Sequence, residues 1–475
     1  MNSKTATGAA ATVERFYVAH EKLYPREVGG RFQRLRVAAV LALLGLFYVL
    51  PWISWDGRQA VLFDLPARKF YIFSLVFWPQ DFFLLSWLLI IAALSLFFFT
   101  ALAGRLWCGY ACPQTVWTEV FIWMERLTEG THSQRLKLDR APLSATKLLR
   151  KSAKQALWIG FSAWTGFTFV GFFTSIDVLA RELASLTLGR WELFWIVFYG
   201  FATYGNAGYL REQVCKYMCP YARFQSAMFD RDTLVISYDE RRGEPRGGRS
   251  RGIDHRAQNL GDCIDCTLCV QVCPTGIDIR KGLQYECIAC AACIDACDAV
   301  MDRMSYPRGL IRYATEASMQ GAPTRILRPR VAIYGVLLAA LVVSFIVAVV
   351  VRNPIGIDVI RDRNALYRTL DDGTIENVYM VRLLNKDQRA HRLRLSIEGN
   401  PALRLDADAT DRLVAAGEVA TIAVRLRLSE APVGGQDVTL RATAVNGDGD
   451  HDEDDDDEGV HLTATAVTRF IAPPR

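Results

Sequence analysis

Histidine is scarce in this 475-residue chain. The six present, His20, His132, His255, His391, His451 and His461, all lie outside its long apolar runs. Haem held between two intramembrane histidines is thereby excluded as a built-in cofactor. No Gly-rich dinucleotide fingerprint and no P-loop occurs, so the sequence signatures of nucleotide cofactors are missing. Cysteine is absent after Cys297. The first thirty residues carry Arg and Lys but no apolar run beside a small-residue cleavage site, so nothing there reads as a removable signal peptide. The first helix is expected to be its own insertion signal.

Apolar residues make up 51% of the chain, and they come in blocks. Five are long and nearly free of charge: Val37 to Leu50, Phe82 to Leu102, Ala156 to Phe173, Trp191 to Leu210 and Val331 to Val351. A membrane helix needs roughly 20 such residues, fewer where Trp and Tyr anchor the ends. The first block is short enough to read alternatively as a buried core helix. Basic residues near the membrane stay on the cytoplasmic side. Arg105, Arg126, Arg135, Lys137, Arg140, Lys147, Arg150, Lys151 and Lys154 follow the second block, against only Arg181 and Arg190 after the third. The expected topology has the N-terminal segment 1–35 inside, four helices over 36–210, a cytoplasmic region 211–330, a fifth helix 331–351 and an external tail 352–475. The net charge of +5 needs no nucleic-acid partner, because much of the excess sits in these loops.

All twelve cysteines fall between Cys108 and Cys297, on the side assigned as reducing. Metal ligation, not disulfide bonding, is expected. Cys263, Cys266, Cys269 and Cys273, followed by Pro274, reproduce the two-cluster ferredoxin spacing, and Cys287, Cys290, Cys293 and Cys297 repeat it. In that architecture each run lends its last cysteine to the other cluster. Cys263, Cys266, Cys269 and Cys297 are therefore assigned to one 4Fe-4S cluster, and Cys287, Cys290, Cys293 and Cys273 to the second, in a ferredoxin-type α+β domain at about 255–305. Asp298 stands where a second Pro would be, which alters the turn or the potential. Paired zinc sites are the competing reading, and the three-residue final gap fits them poorly. The chemistry expected is one-electron transfer.

A second repeat lies at the membrane edge. Arg105-Leu-Trp-Cys108-Gly-Tyr-Ala-Cys112-Pro113 closes one hairpin of apolar helices, and Arg211-Glu-Gln-Val-Cys215-Lys-Tyr-Met-Cys219-Pro220 closes the next. Two hairpins related as parallel repeats would bring the pairs together. Cysteines four apart are expected on one side of a helix, so the pairs offer up to four soft ligands for Cu(I), zinc or an iron–sulfur cluster. Packing cysteines are the alternative. Electrons would come from a partner, a quinol or a soluble donor.

These residues, with Leu23-Tyr-Pro-Arg26, Trp107 to Glu119, Arg211 to Ala227, Gly243-Glu-Pro-Arg246-Gly and Tyr306 to Arg312, resemble the FixG/CcoG family of cytochrome c oxidase accessory proteins. The resemblance implies a part in supplying copper to a cbb3-type oxidase in the bacterial inner membrane, with oxidase assembly factors as partners. Its implied chemistry is reduction of Cu(II) to Cu(I), a cupric reductase activity for which Cys108, Cys112, Cys215 and Cys219 are the catalytic and copper-binding candidates. Copper is not itself read from the cysteine count. Two rival functions remain: a quinol-linked electron conduit without copper chemistry, and a non-enzymatic scaffold for oxidase assembly.

After Arg352 the pattern alternates, as in Val378 to Leu384 and Ala420 to Leu428, with Gly and Pro between runs. A β-sandwich is expected, and it resembles the immunoglobulin-like tail of the same family without the antibody cysteine pair. It would serve as a docking surface for an assembly partner or as an inert periplasmic lid. The acidic run Gly447 to Gly459 reads as a solvated loop, with calcium capture as the alternative. The basic stretch Asp239 to Arg256, with Arg241, Arg242, Arg246, Arg249 and Arg251, reads as a flexible linker, or as a surface for anionic lipid or an acidic partner. The fold class expected is thus a polytopic α-helical membrane protein of about five spans, with an inserted two-cluster ferredoxin-like domain and a C-terminal immunoglobulin-like β-sandwich.

Overall fold

The computed structural model describes residues 22–252, 257–362, 365–398, 401–407, 410–429, 435–445 and 462–473. The acidic run Gly447 to Gly459 lies outside the described residues. The chain divides into two compact units, one of Met1–Gly45, Leu96–Gly166 and Val197–Ala332, the other of Leu46–Ser95, Phe167–Ile196 and Ile333–Arg475.

Among the described residues three helical stretches are long and apolar enough to cross a membrane: Arg31–Trp52, Pro79–Ala103 and Pro329–Val350. The last buries none of its most apolar window within the protein. The other two expected blocks differ for physical reasons. Helix Ala145–Val170 carries Lys147, Arg150, Lys151 and Lys154 through its first turns. Helix Arg190–Thr203 has 14 residues and then widens into a π-helical stretch, Tyr204–Leu210.

In the first unit the cysteine-rich segment is framed by a two-stranded antiparallel sheet, Val235–Tyr238 with Ile311–Ala314. Against it lie the short helix Leu268–Gln271 and the longer Ala292–Met304. Ile236, Ile279, Ile294, Val300, Met301, Leu310 and Ile311 form the buried core between them. The long helix also anchors the first apolar helix. The Asp295 carboxylate accepts the backbone N–H groups of Phe32 at 3.2 Å and Gln33 at 2.7 Å. It thereby satisfies donors that a helix start leaves open and complements the positive end of the helix dipole. A Cβ on Gly30 would collide with the Asp295 side chain, so only glycine admits this cap.

Helix Pro113–Glu129 carries a fully buried charge centre. Glu125 pairs with Arg135 at 3.1 Å and Arg211 at 2.8 Å, and Glu129 pairs with Lys151 at 3.0 Å and Lys154 at 3.3 Å. Burial pushes the Glu125 carboxyl up, but the Arg211 charge and hydrogen bond hold it below the usual range. Arg135 also donates to the carbonyl of Pro25 at 3.1 Å, which ties down the N-terminal Leu23 to Arg26 segment. Replacing Glu125 with Ala strands two buried guanidiniums and should cost about 3–5 kcal/mol. Thermal unfolding of the detergent-solubilised protein checks it; an unchanged Tm contradicts it.

The second unit is mostly β. Among the described residues one antiparallel sheet runs in the order Arg404–Ala407, Val419–Leu428, Ile375–Asn385, Ile355–Arg361, with Arg368–Thr369 beside Ile375–Asn385. The other runs Asp411–Val414, His391–Glu398, Gln436–Val445, Thr463–Phe470. Pairs such as Tyr379 with Val424 and Leu383 with Ala420 in the first sheet, and Leu395 with Ala442 in the second, fill one core. Alternation puts every second side chain into that core. Tyr379, fully buried, donates its hydroxyl to the Arg469 carbonyl of the opposite sheet at 2.9 Å. Tyr379→Phe should therefore lower stability by about 1 kcal/mol, read as a small fall in the denaturant midpoint; no change would show the bond is replaced by water.

The same unit contains strands with no counterpart in the sequence reading, the hairpin Ser54–Trp55 with Arg58–Gln59 and the meander Val61–Asp64, Lys69–Ile72, Leu75–Phe77. Val76 and Trp78 pack on Leu384 of the sandwich. The buried Asp81 carboxylate joins Arg352 and Lys386, each at 3.2 Å.

Candidate metal centres

Two cavities open inside the cysteine-rich domain. Cys263, Cys266, Cys269 and Cys297 line one. Cys273, Cys287, Cys290 and Cys293 line the other, with Cys269 at its edge. The two loops that present these thiols share a backbone device. Asp265 and Thr267 in the first, and Ala289 and Ala291 in the second, stand at matching places and all have φ between 53° and 60°. Left-handed backbone at non-glycine residues costs of order 1–3 kcal/mol each and persists where surroundings hold it. Here it turns each run so that successive thiols reach the same cavity. The surroundings are visible. Arg249 donates to the carbonyls of Gly261 at 2.6 Å and Cys263 at 3.3 Å, and the Tyr313 hydroxyl donates to that of Ala289 at 2.7 Å.

These contacts correct the reading of 239–256 as a plain linker. Among its described residues, Arg242 is tied to Asp262 and to the carbonyls of Pro307 and Arg308, and Arg249 packs on Tyr306 with its guanidinium 5.3 Å from the ring centre. Asp298 makes no special turn after Cys297. The helix continues to Met304, and the Asp298 carboxylate accepts the Gly309 N–H at 2.9 Å.

Each cavity fits an iron–sulfur cluster by its donor chemistry. A zinc ion would draw four sulfurs to about 2.3 Å from one point. Among the described residues no three His, Cys, Asp or Glu converge on a single-ion position; the thiols ring a space, as ligands to separate iron atoms do. Burial, reinforced by neighbouring cysteines, pushes the thiols of Cys287 and Cys297 up to about 12 and that of Cys269 up to about 11. Thiolates in such places need a resident cationic group, and cluster iron is one.

The membrane-edge cysteines take a geometry that the i, i+4 expectation misses. Cys108 lies on the short helix Leu106–Tyr110, but Cys112 is extended and starts the next helix, Pro113–Glu129. In the second copy Cys215 lies in a π-helical turn, Val214–Met218, and Cys219 is extended before Pro220–Met228. Proline drives its preceding residue out of the helical region and suits the first helical position. The two cysteines of a pair therefore do not share a helix face. Cys108 and Cys215 still come to one place, one from each copy of the repeat.

Cys108 and Cys215 also pack against the cluster formed by Val272, Ile288, Cys290, Ala292 and Ala296. Gly109 makes this approach possible: a Cβ there would stand 2.8 Å from the Ile288 carbonyl oxygen and 2.9 Å from that of Ala289. A cavity lined by Cys215, Glu119, Glu212, Arg36, Pro274 and Thr275, among others, adjoins the same place. A separate open groove is lined by Tyr217, Met218, Cys219, Pro220, Arg223, Phe224 and Ala227. Arg36, Glu119 and Glu212 escaped sequence reading, because only the fold brings them beside the thiols.

Long apolar helices joined to a domain with two thiol-lined cavities define a membrane-associated iron–sulfur electron-transfer protein. Residues 210–316 match the family model of the 4Fe-4S dicluster domain, residues 85–129 that of a 4Fe-4S binding domain, and residues 345–473 that of the IG-like fold at the C-terminus of FixG. The chain belongs to the FixG family. It is 39% identical to the nitrogen fixation protein FixG of Rhizobium meliloti, over 83% of each chain. Protein RdxA of Cereibacter sphaeroides is 39% identical over 90% of this chain and 92% of its own, and RdxB of the same organism 41% over 84% and 88%. The crystal structure of a FixG-related protein from Vibrio parahaemolyticus aligns with 25% of this chain and 97% of that one, at 25% identity and a TM-score of 0.20.

Proposed function

We propose that this protein reduces Cu(II) to Cu(I) at the membrane edge, as a step in supplying copper to a cbb3-type oxidase. The observation that carries the reading is the packing of Cys108 and Cys215, one from each copy of the repeat, against the second cluster loop. When bound, a 4Fe-4S cluster supplies one electron at a time, and one electron converts one Cu(II) to Cu(I). Thiolates favour Cu(I) over the harder Cu(II), so sulfur at the acceptor position draws the reaction towards the reduced ion.

In this reading Cys263, Cys266, Cys269 and Cys297 hold one cluster, and Cys273, Cys287, Cys290 and Cys293 the other. The topology follows from the charge pattern, and the partners from the family resemblance. The cysteine-rich domain faces the cytoplasm, five helices cross the inner membrane, and the sandwich stands in the periplasm, where it meets oxidase assembly partners. Supporting the topology is the concentration of Lys and Arg between 105 and 154.

The test uses cluster-loaded protein reduced with dithionite and freed of excess reductant, mixed with Cu(II), with Cu(I) read by a chromogenic chelator. Formation of one Cu(I) per electron stored is expected. Oxidation of the clusters by a quinone, with none by Cu(II), would sink the proposal in favour of a copper-free conduit.

A further inference from the structure

The two arginines that open the membrane-edge repeats, Arg105 and Arg211, have parted in role. Arg211 is neutralised by Glu125 at 2.8 Å. Arg105 is 3% exposed, gives one N–H to the carbonyl of Ala222, and leaves its Nε without a partner. Its own carbonyl accepts the Gly109 N–H at 3.3 Å, so it stands one turn before the glycine that touches Ile288 and Ala289. The Gly109 contact sets it beside the loop that carries the cluster ligands Cys287 and Cys290, and the buried Arg36 is a second cation at Cys290.

The first cavity is electrically different. The cation that lines it, Arg280, is cancelled by Asp265 at 2.5 Å and Asp278 at 2.8 Å, and Asp298 adds negative charge beside Cys297. Its ligand Cys266 is exposed, whereas Cys290 of the second set is buried. Cluster potentials follow net charge, hydrogen bonding and exposure. An unpaired buried cation favours the more negative, reduced form, and it acts against the burial that would disfavour that form.

We propose that Arg105 is a positioning residue for electron flow: its unpaired charge holds the potential of the Cys273–Cys287–Cys290–Cys293 cluster above that of the other. With both clusters bound, exposed Cys266 would offer the entry side for a one-electron donor, and Cys108 and Cys215 the exit side beside Cys290. The direction of flow rests on the function proposed above; the ordering of potentials does not.

The full-length, cluster-loaded protein, free of copper, is titrated with dithionite and followed by electron paramagnetic resonance. Two midpoints are expected. Arg105→Gln should lower the higher one and leave the lower in place, and Arg105→Lys should restore it, which a merely structural role would not produce. Asp298→Asn should raise only the lower midpoint, and it decides the assignment even if Arg105→Gln fails to retain iron. A single midpoint, a shift of the lower one in Arg105→Gln, no shift at all, or a rise of the higher one in Asp298→Asn overturns the proposal. Because no copper is present, failure of copper reduction and failure of this ordering are read separately.

Discussion

Serine in place of Cys108, Cys112, Cys215 and Cys219 together is expected to bring Cu(II) reduction down to the uncatalysed background while iron and sulfide per chain stay unchanged. A hydroxyl is a hard, protonated donor at neutral pH, so the acceptor position loses the soft ligands that favour Cu(I). The thiols lining the two domain cavities are a separate set, so assembly of those two clusters has no reason to fail. Serine also keeps the volume close to that of cysteine, and the Cys108 contact with the Gln225 amide oxygen at 3.3 Å can be remade by a hydroxyl. Full activity in a variant with normal iron content would remove these residues from the reaction. The single variants carry further information: if the four act as one ligand set, losses will be far from additive.

Cys273→Ser is expected to remove about half of the iron and sulfide, because each cysteine run lends its last thiol to the other cluster. Cys273 stands at the end of the first run, yet it lines the cavity of Cys287, Cys290 and Cys293. Adding Cys290→Ser should therefore cost almost no more iron, whereas adding Cys263→Ser should empty the domain. The opposite pattern, with Cys263→Ser silent in the Cys273→Ser background, would assign both to one cluster and refute the crossing. Cys297 gives the mirror case. It lies in the long helix Ala292–Met304 but lines the first cavity with Cys263, Cys266 and Cys269.

Much of this was legible before any coordinates. Thiol runs with two, two and three residues between successive cysteines announce a two-cluster domain because the spacing is a local, covalent property. The alternation after Arg352 announced sheets for the same reason. The duplicated Cys-Pro ends were legible as a repeat, but their geometry was misread: a period-four rule applies inside a continuous helix, and Pro113 and Pro220 end continuity at the preceding cysteine. The basic loop was misread in a related way. Its arginines look like solvent charges in sequence, and Arg242 and Arg249 become braces only because Tyr306, Pro307 and Arg308 lie across from them.

The sequence by itself determined the two ferredoxin-type cysteine runs, the duplicated Cys-Pro ends, the apolar blocks and the alternating tail. Only the tertiary structure decided that Asp295 caps the first apolar helix, that Gly109 lets a membrane-edge cysteine reach the second cluster loop, and that Arg211 pairs with Glu125 while Arg105 keeps an Nε without a partner. The division has one physical cause. Ligand type and spacing are written along the chain, whereas charge compensation and close approach depend on through-space neighbours far away in sequence, which no local pattern encodes.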